Sequence, residues 1–478
     1  MDWRVRRGCE LYLGSFNRQW QRLRTPEAEL EAQRRRQPEA GTVSVIVPVW
    51  NTKPEWLRAL ADSLRVQSLT DWECVLYDGG SDRSDTPAAL KEIQATDSRF
   101  RVIRADTNLG IVGNTNAAAA LARGPWLVFC DHDDTLEPDA LWRLATAVKE
   151  LGADLAYADE DRLTADGRVH YAPHFKPDLC PENLLACNYI CHPVMLRRSL
   201  WEKLGGLRSG LEGSQDHDLM LRCVNAGAKV VHVPHILYHW RNNGGSMSHT
   251  QREKCQSSGL RAVEEAVRAR CAEASAEVSG GRLRVLWPLP ERARVRVLLT
   301  GSGADTEKLL PLLNDGMSDR VTCQPVTRDS LDEAARGAAE ELLLLWDARL
   351  TPEPGTVREL AALAMRPEVG RAFPQVLDAR DRILFSGCGC RNGRTFRRSA
   401  GERPERCDPL LLETSVHQVS LGSGLCVMLR RELWTGPDCA PRDGTLRNLV
   451  SPFAVARCFR WPGEPETAPF HDPCLIGR

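Results

Sequence analysis

Three aspartates stand together in the run Asp131-His132-Asp133-Asp134, directly after the apolar residues 126–130. Carboxylates this close repel one another unless a cation neutralises them. A divalent cation with oxygen ligands would do so, and it would also bind phosphate groups. The same acids would equally suit a helix start, because Glu137-Pro138 follow and acidic side chains favour helix N-termini. The run alone leaves a metal site and a helix cap as equal alternatives.

Three histidines form a second group that could do chemistry. His232, His235 and His239 follow one another at spacings of three and four residues. Imidazoles are common metal ligands, so convergence of the three would make a metal site. However, residues 229–233 have the pattern of a strand, whose side chains alternate between two faces. The three histidines need not converge.

The elements that would position these side chains alternate along the chain. Apolar runs typical of strands lie at residues 43–47, 73–77, 101–103 and 126–130, with helical patterns at 56–66, 87–95 and 114–122. This alternation predicts an α/β fold with a mostly parallel sheet and helices on both faces. Ligands of such sheets bind at the carboxyl ends of strands. Asp78 and the Asp131 run follow two of the predicted strands.

An ordered series of motifs runs through the first half of the chain. The motifs are TVSVIVPVWN (42–51), YDGGS (77–81), FCDHDD (129–134), YADED (157–161), FKPD (175–178), EGSQDHDL (212–219) and LYHWR (237–241). This series resembles the family-two glycosyltransferases, in the branch of bacterial O-antigen and surface-polysaccharide rhamnosyltransferase-like enzymes. The resemblance covers residues 42–250 and implies a GT-A fold. It also implies a nucleotide-sugar donor, a glycan or lipid-linked saccharide acceptor, and a divalent metal, Mn or Mg.

The resemblance implies a role for each matching residue on the donor side. Asp78 would bind the nucleobase, although it could instead cap the turn through Gly79-Gly80. Asp131 would face the ribose, and Asp133 would bind the metal that bridges the diphosphate. A histidine about two dozen residues after the catalytic base would be a further metal ligand; His239 fits best and His235 is second. The other donor-binding candidates are Pro48, Asn51, Lys176 and Arg241.

The catalytic base implied by the resemblance is Asp216. It would take the proton of the acceptor hydroxyl while that oxygen attacks the anomeric carbon and inverts it. Gln215 stands where many relatives have Glu, which removes a charge beside the base but not the base itself. Asp218 is the alternative if the alignment slips by two residues, yet it also suits the first turn of a helix.

The second half of the chain, residues 283–478, faintly repeats the first. Residues 343–354 parallel 128–138, and residues 422–434 parallel 191–201. The counterpart of Asp133 is Arg349, which would repel a divalent ion, and residues 214–216 have no counterpart. We therefore expect a smaller, degenerate glycosyltransferase-like domain, with an unrelated fold as the alternative. The predicted order is a helical extension (1–41), a catalytic domain (42–250), a helical linker (251–282) and the degenerate domain (283–478).

The N-terminal extension has its own pattern. Tyr12, Phe16, Trp20 and Leu23 place apolar side chains on one face of a helix. Such a face either packs on the catalytic domain or lies at an anionic membrane surface, which would make a peripheral membrane contact.

Composition excludes some classes of function. The 63 basic and 64 acidic residues give a net charge of −1, so nucleic-acid binding driven by positive charge is not expected. We find neither an apolar run of membrane-spanning length nor a signal peptide, and therefore expect a cytoplasmic protein, at most peripheral at the inner face of the membrane.

The alternatives to sugar transfer are a non-catalytic sugar-nucleotide or glycan-binding protein and a nucleotidyltransferase. Asp216 argues against the first, and residues 214–219 and 238–241 argue against the second.

Overall fold

The computed structural model divides the chain into two compact units. The first unit comprises residues 1–184 and 188–272, and the second comprises 185–187 and 273–478. The four-part division proposed from the sequence stays a prediction. No helix among the described residues is long and apolar enough to span a bilayer. The structure describes residues 16–18, 20–22, 24–244, 250–279, 281–301, 306–391, 394–397, 401, 403–404, 414–419, 422, 425–436 and 446–458.

The first unit is built on a nine-stranded sheet with the strand order β3-β2-β1-β4-β8-β6-β9-β5, and β7 pairs with β6. In chain order its strands are β1 (Val43–Val49), β2 (Trp72–Asp78), β3 (Phe100–Arg104), β4 (Trp126–Phe129), β5 (Thr135–Leu136), β6 (Leu155–Thr164), β7 (His170–His174), β8 (Val194–Arg197) and β9 (Val230–Asn242). Its helices are α1 (Glu27–Arg35), α2 (Pro54–Arg65), α3 (Asp85–Thr96), α4 (Gly110–Ala120), α5 (Ala140–Leu151), α6 (Pro181–Ala186), α7 (Arg198–Leu204), α8 (Gln215–Asn225) and α9 (Arg252–Arg268).

The first four strands of this sheet run parallel, as the sequence predicts. β1 is buried along its whole length, which explains why its residues read as a continuous apolar run. The sheet is more mixed than predicted, because β5, β7 and β8 pair antiparallel with their neighbours. β8 is inserted between β4 and β6, and this brings the chain segment before β8 to the carboxyl end of β4.

The second unit is built on another nine-stranded sheet with the order β13-β12-β14-β21-β16-β22-β15, to which β17 and β20 add. Its strands are β12 (Val295–Thr300), β13 (Val321–Pro325), β14 (Leu342–Asp347), β15 (Leu350–Pro352), β16 (Val369–Leu377), β17 (Ile383–Phe385), β20 (His417–Gln418), β21 (Cys426–Arg430) and β22 (Arg447–Cys458). Two hairpins lie outside it, β10 (Ser275–Ser279) with β11 (Arg282–Leu286) and β18 (Cys388–Arg391) with β19 (Arg394–Arg397). Its helices are α10 (Thr306–Asn314), α11 (Leu331–Arg336) and α12 (Thr356–Ala364).

The second sheet repeats the strand order of the first. The order of the second sheet is β13, β12, β14, β21, β16, β22 and β15, which corresponds to β2, β1, β4, β8, β6, β9 and β5 of the first. Among the residues that the structure describes, this path has no counterpart of β3. The registers agree as well: Trp126 pairs with Arg197 across β4 and β8, and Leu342 pairs with Arg430 across β14 and β21. The α/β class predicted for both halves is confirmed, and residues of the two units can be matched through these registers.

Candidate active site

A cleft of about 510 Å³, including space open to solvent, lies at the carboxyl ends of β1 and β4. Its polar wall contains Asp131, His192, Gln215 and Asp216, and Pro48 contributes to its apolar wall. Residues that the sequence assigned to the donor and to the base therefore line one cavity. His192 is a member of this wall that sequence reasoning did not find.

The acidic run bends around the end of β4. The Asp131 side chain is 41% exposed, and its Oδ2 lies 3.8 Å from Nε2 of His192. Asp133 is nearly buried; its Oδ1 lies 3.7 Å from Nδ1 of His132, and its carboxylate accepts a hydrogen bond from Asn243. Burial raises the pKa of Asp133, and the neighbouring charge of Asp131 adds to the increase while His132 opposes it. A cation at this loop would relieve that cost.

The third aspartate of the run has a structural role. Asp134 is fully buried and accepts hydrogen bonds of 2.7 Å from the Tyr238 hydroxyl and from the backbone N–H of Arg241. The Arg241 guanidinium donates from Nε to the carbonyl of Asp133 at 2.6 Å. These contacts tie β9 to the acidic loop. Arg241, predicted to contact the diphosphate, thus holds the loop that carries Asp133.

Asp78 and Asn51 hold the turn that follows β2. Oδ1 of Asp78 accepts the backbone N–H and the hydroxyl of Ser81 at 2.9 and 2.6 Å, and its Oδ2 lies 3.1 Å from the Arg104 guanidinium. Oδ1 of Asn51 accepts the backbone N–H of Asp82 at 2.8 Å. These contacts match the turn-capping alternative for Asp78. The role of both residues in nucleotide binding stays a prediction.

Asp216 and Asp218 lie in the first turn of α8 in different surroundings. Asp216 lines the cleft, and its Oδ2 accepts a 2.8 Å hydrogen bond from the Asn188 side-chain amide. Asp218 is buried, and its carboxylate pairs with the guanidinium groups of Arg208 and Arg222. Of the two carboxylates, Asp216 is therefore the one available to a substrate. No local motif identifies Asn188, which lies 28 residues before its partner.

The segment that carries Asn188 and His192 is anchored by a buried ammonium group. Nζ of Lys176 donates to the carbonyls of Ile190 and His192 at 2.7 and 2.6 Å, and it lies 3.1 Å from Oε2 of Glu160. Burial by itself would raise the pKa of Glu160, but the charge of Lys176 and the hydrogen bond from His174 outweigh it and lower this pKa to about 2. Lys176, predicted to contact the diphosphate, has all three ammonium protons engaged within the protein.

His239 lies between two carboxylates away from this cleft. Its Nδ1 is 2.6 Å from Oδ1 of Asp161, and its Nε2 is 3.0 Å from Oε1 of Glu137. Burial lowers the pKa of His239, but the two carboxylates outweigh burial and raise it to about 9, so the ring is an imidazolium at neutral pH. His239 lines a second cleft of about 1500 Å³, including solvent space, together with Arg241. The ligand atoms of Asp161, His170 and His239 lie within 4.8 Å of one another, a spacing that could hold a metal ion.

The other two histidines of the predicted triplet have separate partners. Nε2 of His232 lies 2.9 Å from Oδ1 of Asp159. Nε2 of His235 lies 3.1 Å from the Arg143 guanidinium. Because the pleat of β9 sends these side chains to different neighbours, they do not form a three-histidine site with His239.

The described part of the N-terminal extension packs on the first unit. Phe16 and Trp20 are buried in a small cluster with Ile236, and the Trp20 ring lies 5.6 Å from the ring of His170 and 5.5 Å from that of His239. For these two residues the structure favours packing on the domain over contact with a membrane. Tyr12 and Leu23, the other residues of the predicted face, lie outside the described residues.

The matching position of the second unit carries no free acidic site. Asp347, the counterpart of Asp131, binds Arg349 twice: Nε lies 2.7 Å from Oδ1 and a terminal nitrogen lies 2.6 Å from Oδ2. The guanidinium thus occupies the place where a cation would bind.

Comparison with known proteins gives consistent matches. Residues 44–204 match the family described as Glycosyl transferase family 2. The chain is 33% identical over 392 residues to the protein y4gI of Sinorhizobium fredii, covering 72% of this chain and 43% of that protein. It is 31% identical over 388 residues to the O-antigen biosynthesis protein RfbC of Myxococcus xanthus, covering 72% and 30%. The chain thus spans less than half the length of these two relatives.

Two shorter matches complete the comparison. The chain is 32% identical over 211 residues to the PGL/p-HBAD biosynthesis glycosyltransferase of Mycobacterium bovis, covering 43% of this chain and 79% of that protein. Among solved structures, Staphylococcus aureus TarS residues 1–349 in complex with UDP-GlcNAc aligns with a TM-score of 0.40 and 20% identity, covering 48% of this chain and 66% of that one.

Proposed function

Because the chain belongs to glycosyl transferase family 2, we propose that it transfers a sugar from a nucleotide-sugar donor to a growing surface glycan or lipid-linked saccharide, with inversion and with a divalent metal. The observation that carries this proposal is the shared cleft of Asp131 and Asp216. Asp131 lies where the family's donor site is expected, and Asp216 accepts a hydrogen bond from Asn188. The relative named for O-antigen biosynthesis supports a surface polysaccharide as the acceptor.

Asp216 is the general base of the proposed reaction. Its carboxylate takes the proton of the acceptor hydroxyl while that oxygen forms a bond to the anomeric carbon. The bond from this carbon to the diphosphate oxygen breaks on the opposite face, so the configuration inverts and the nucleoside diphosphate leaves. The hydrogen bond from Asn188 holds the carboxylate in one orientation, which favours productive alignment of the acceptor.

A divalent cation fits the acidic loop. The pKa of Asp133 is raised by burial and by its neighbour Asp131, so a cation held by these two carboxylates would relieve an electrostatic cost already present. Bound there, the cation would neutralise the charge that develops on the leaving diphosphate.

Three further residues of the proposed donor site lie at the ends of β1 and β2. Pro48, Asn51 and Asp78 shape the pocket for the nucleoside, with Asp78 accepting a nucleobase N–H. Lys176 and Arg241 contribute through the loops that they hold. The enzyme works in the cytoplasm, where a lipid-linked acceptor would bring it to the inner face of the membrane.

A panel of nucleotide sugars tests the proposal. The purified full chain is incubated with each donor in Mn or Mg, in EDTA, and as the Asp216→Asn variant, and released nucleotide is measured. We expect metal-dependent nucleotide release from at least one donor by the wild type, with water as the acceptor. NMR of the freshly released sugar, before its anomers equilibrate, should show an inverted anomeric configuration. Full turnover in EDTA would refute metal dependence, and a retained configuration would refute the single displacement. Donor binding without turnover of any donor would favour a non-catalytic sugar-nucleotide-binding protein.

A further inference from the structure

The clamped segment, residues 176–178, follows β7 and is held at each of its residues by a side chain of β6 or β9. Its first backbone N–H donates to Oδ1 of Asp159 at 2.8 Å. Its second carbonyl accepts a 2.5 Å hydrogen bond from the Tyr157 hydroxyl. Its third residue, Asp178, places Oδ1 3.3 Å from Nδ1 of His232. The sheet therefore fixes both the backbone of this segment and its last side chain.

His232 lies between the two carboxylates of this arrangement. Its Nε2 is 2.9 Å from Oδ1 of Asp159, and its Nδ1 is 3.3 Å from Oδ1 of Asp178. An ionised carboxylate only accepts hydrogen bonds, so both ring nitrogens must carry a proton to bind both partners. The contacts therefore require His232 to be an imidazolium.

The surroundings of His232 separate a fixed partner from a releasable one. Among the residues that the structure describes, the titratable groups that face the ring are Asp159 and Tyr157 from β6 and Asp178 from the clamped segment. Burial lowers the pKa of His232, but the two aspartates outweigh burial and raise it above its ordinary value. Asp159 is buried, whereas the Asp178 side chain is 62% exposed. Asp178 is thus the partner that can leave the ring without disturbing the core.

The clamped segment leads directly to the proposed base. The Lys176 ammonium, on the first residue of this segment, donates to two carbonyls of the stretch 188–192. Asn188, at the start of that stretch, donates to the Asp216 carboxylate. Because Lys176 belongs to both sets of contacts, the orientation of Asp216 depends on how firmly the clamped segment is held.

The second unit replaces all three clamping side chains. The strand registers that relate the two units match each of them to a residue with neither charge nor hydroxyl: Tyr157 to Phe373, Asp159 to Gln375 and His232 to Val450. This is also the half of the chain in which the sequence shows no match to residues 214–216, which contain the proposed base. The clamp and the base occur together, as expected if one serves the other.

We propose that the imidazolium of His232 is a positioning group for the proposed base, because it joins Asp178 to Asp159 and so fixes the clamped segment and the stretch that orients Asp216. This inference rests on the proposed role of Asp216. When the ring loses one proton to solvent, a single N–H remains. The neutral ring then stays bonded to the buried Asp159 and releases Asp178. The clamp is therefore complete below the pKa of His232 and is lost as the pH rises through it.

Hydrogen–deuterium exchange on the full chain tests the clamp without an activity measurement. Exchange of residues 188–192 is measured at a series of pH values and corrected for the intrinsic pH dependence of the exchange reaction. In the wild type we expect protection to decrease at alkaline pH, with a midpoint above the usual histidine value of about 6.5. Asp178→Asn removes a charge that retains the ring proton, so the midpoint should move to lower pH by up to about 0.7 unit. His232→Gln has no ring proton to lose and should show low protection without a midpoint.

The pH dependence of kcat extends the test to the proposed reaction. The wild-type kcat should decline with the same alkaline midpoint, and Asp178→Asn should move that midpoint to lower pH while KM for the donor changes little. His232→Gln should reduce kcat roughly 10- to 100-fold, the effect of a misoriented catalytic group. Asp154→Asn is the matched control: this carboxylate contacts Arg197 and the backbone N–H of Lys229, outside the clamp. It should leave both midpoints in place.

The outcomes separate the clamp from the proposed reaction. Unchanged protection of residues 188–192 in a folded His232→Gln protein, or a midpoint that Asp178→Asn does not move, would overturn the inference. If circular dichroism shows His232→Gln unfolded, Asp178→Asn decides, because its side chain is largely exposed. An exchange midpoint without a matching midpoint in kcat would overturn the positioning role. If exchange responds as expected but no donor is turned over, the clamp is supported and the proposed function fails.

Discussion

The side-chain amide of Asn188 donates a 2.8 Å hydrogen bond to Oδ2 of Asp216, the carboxylate that we propose as the general base. Asn188 lies on the segment before β8, and Asp216 lies in the first turn of α8. The same segment carries His192 to the acidic loop. One anchored stretch of chain thus touches both the proposed base and the proposed metal site.

Asp216→Asn should lower turnover by ~10²–10⁴, the usual contribution of a general base. Donor and Mn binding should persist, because the amide has nearly the shape of the carboxylate. Calorimetry of donor binding beside a rate assay checks this. Asp218→Asn is the contrasting variant: it should chiefly lower thermal stability, since Arg208 and Arg222 lose a buried partner. A near-normal rate for Asp216→Asn would move the role of base elsewhere.

Asn188→Ala should reduce kcat roughly 10- to 100-fold, a common effect of a misoriented catalytic group. KM for the donor should change little, because Asn188 contacts the proposed base and not the donor residues. Steady-state kinetics with the donor varied separates the two constants. Unchanged kcat would show that Asp216 needs no orienting partner.

Lys176→Met should lower both stability and kcat. It leaves Glu160 without its ammonium partner, and removing one member of a buried ion pair costs about 3–5 kcal/mol. The double variant Lys176→Met/Glu160→Gln removes both charges and should regain much of the stability. Its kcat should stay low, because the carbonyls of Ile190 and His192 remain unanchored.

Recovery of full activity in the double variant would mean that Lys176 does not position this segment. Urea unfolding and rate assays on the same preparations provide both measurements.

Acid should destabilise the wild type through Glu160. Its pKa is about 2 in the folded protein, against about 4.3 in an unfolded chain. A depressed folded pKa stabilises the protein above the unfolded value, and this contribution is lost as the pH falls from about 4.3 towards 2. The unfolding free energy of Glu160→Gln should therefore decline less steeply in this window. Urea titrations at several pH values compare the two slopes; parallel slopes would contradict the assignment of Glu160.

The two units should respond differently to loss of their matching aspartates. Asp131→Ala should abolish transfer, whereas Asp347→Ala should leave it intact, because Asp347 is already paired with Arg349. A transfer assay on both variants, with circular dichroism as the folding control, makes the comparison. Loss of transfer in a folded Asp347→Ala protein would give the second unit a part in the chemistry.

The sequence by itself determined the α/β class of both units and the repeat between them. Each of these depends on local patterns: buried parallel strands read as apolar runs, and carboxylates that end such strands are adjacent in the chain. The position of Asp131 at the end of β4 follows from the same pattern.

Only the tertiary structure decided which side chains meet. Placing β8 between β4 and β6 brings Asn188 to Asp216 and His192 to Asp131, over separations in the chain that no motif records. It also showed that Lys176 and Arg241 each hold a loop, while their contacts with the diphosphate stay predictions, and it placed His239 between Asp161 and Glu137. Residue type determines what a side chain can bind, whereas strand order and register determine which partners come within reach.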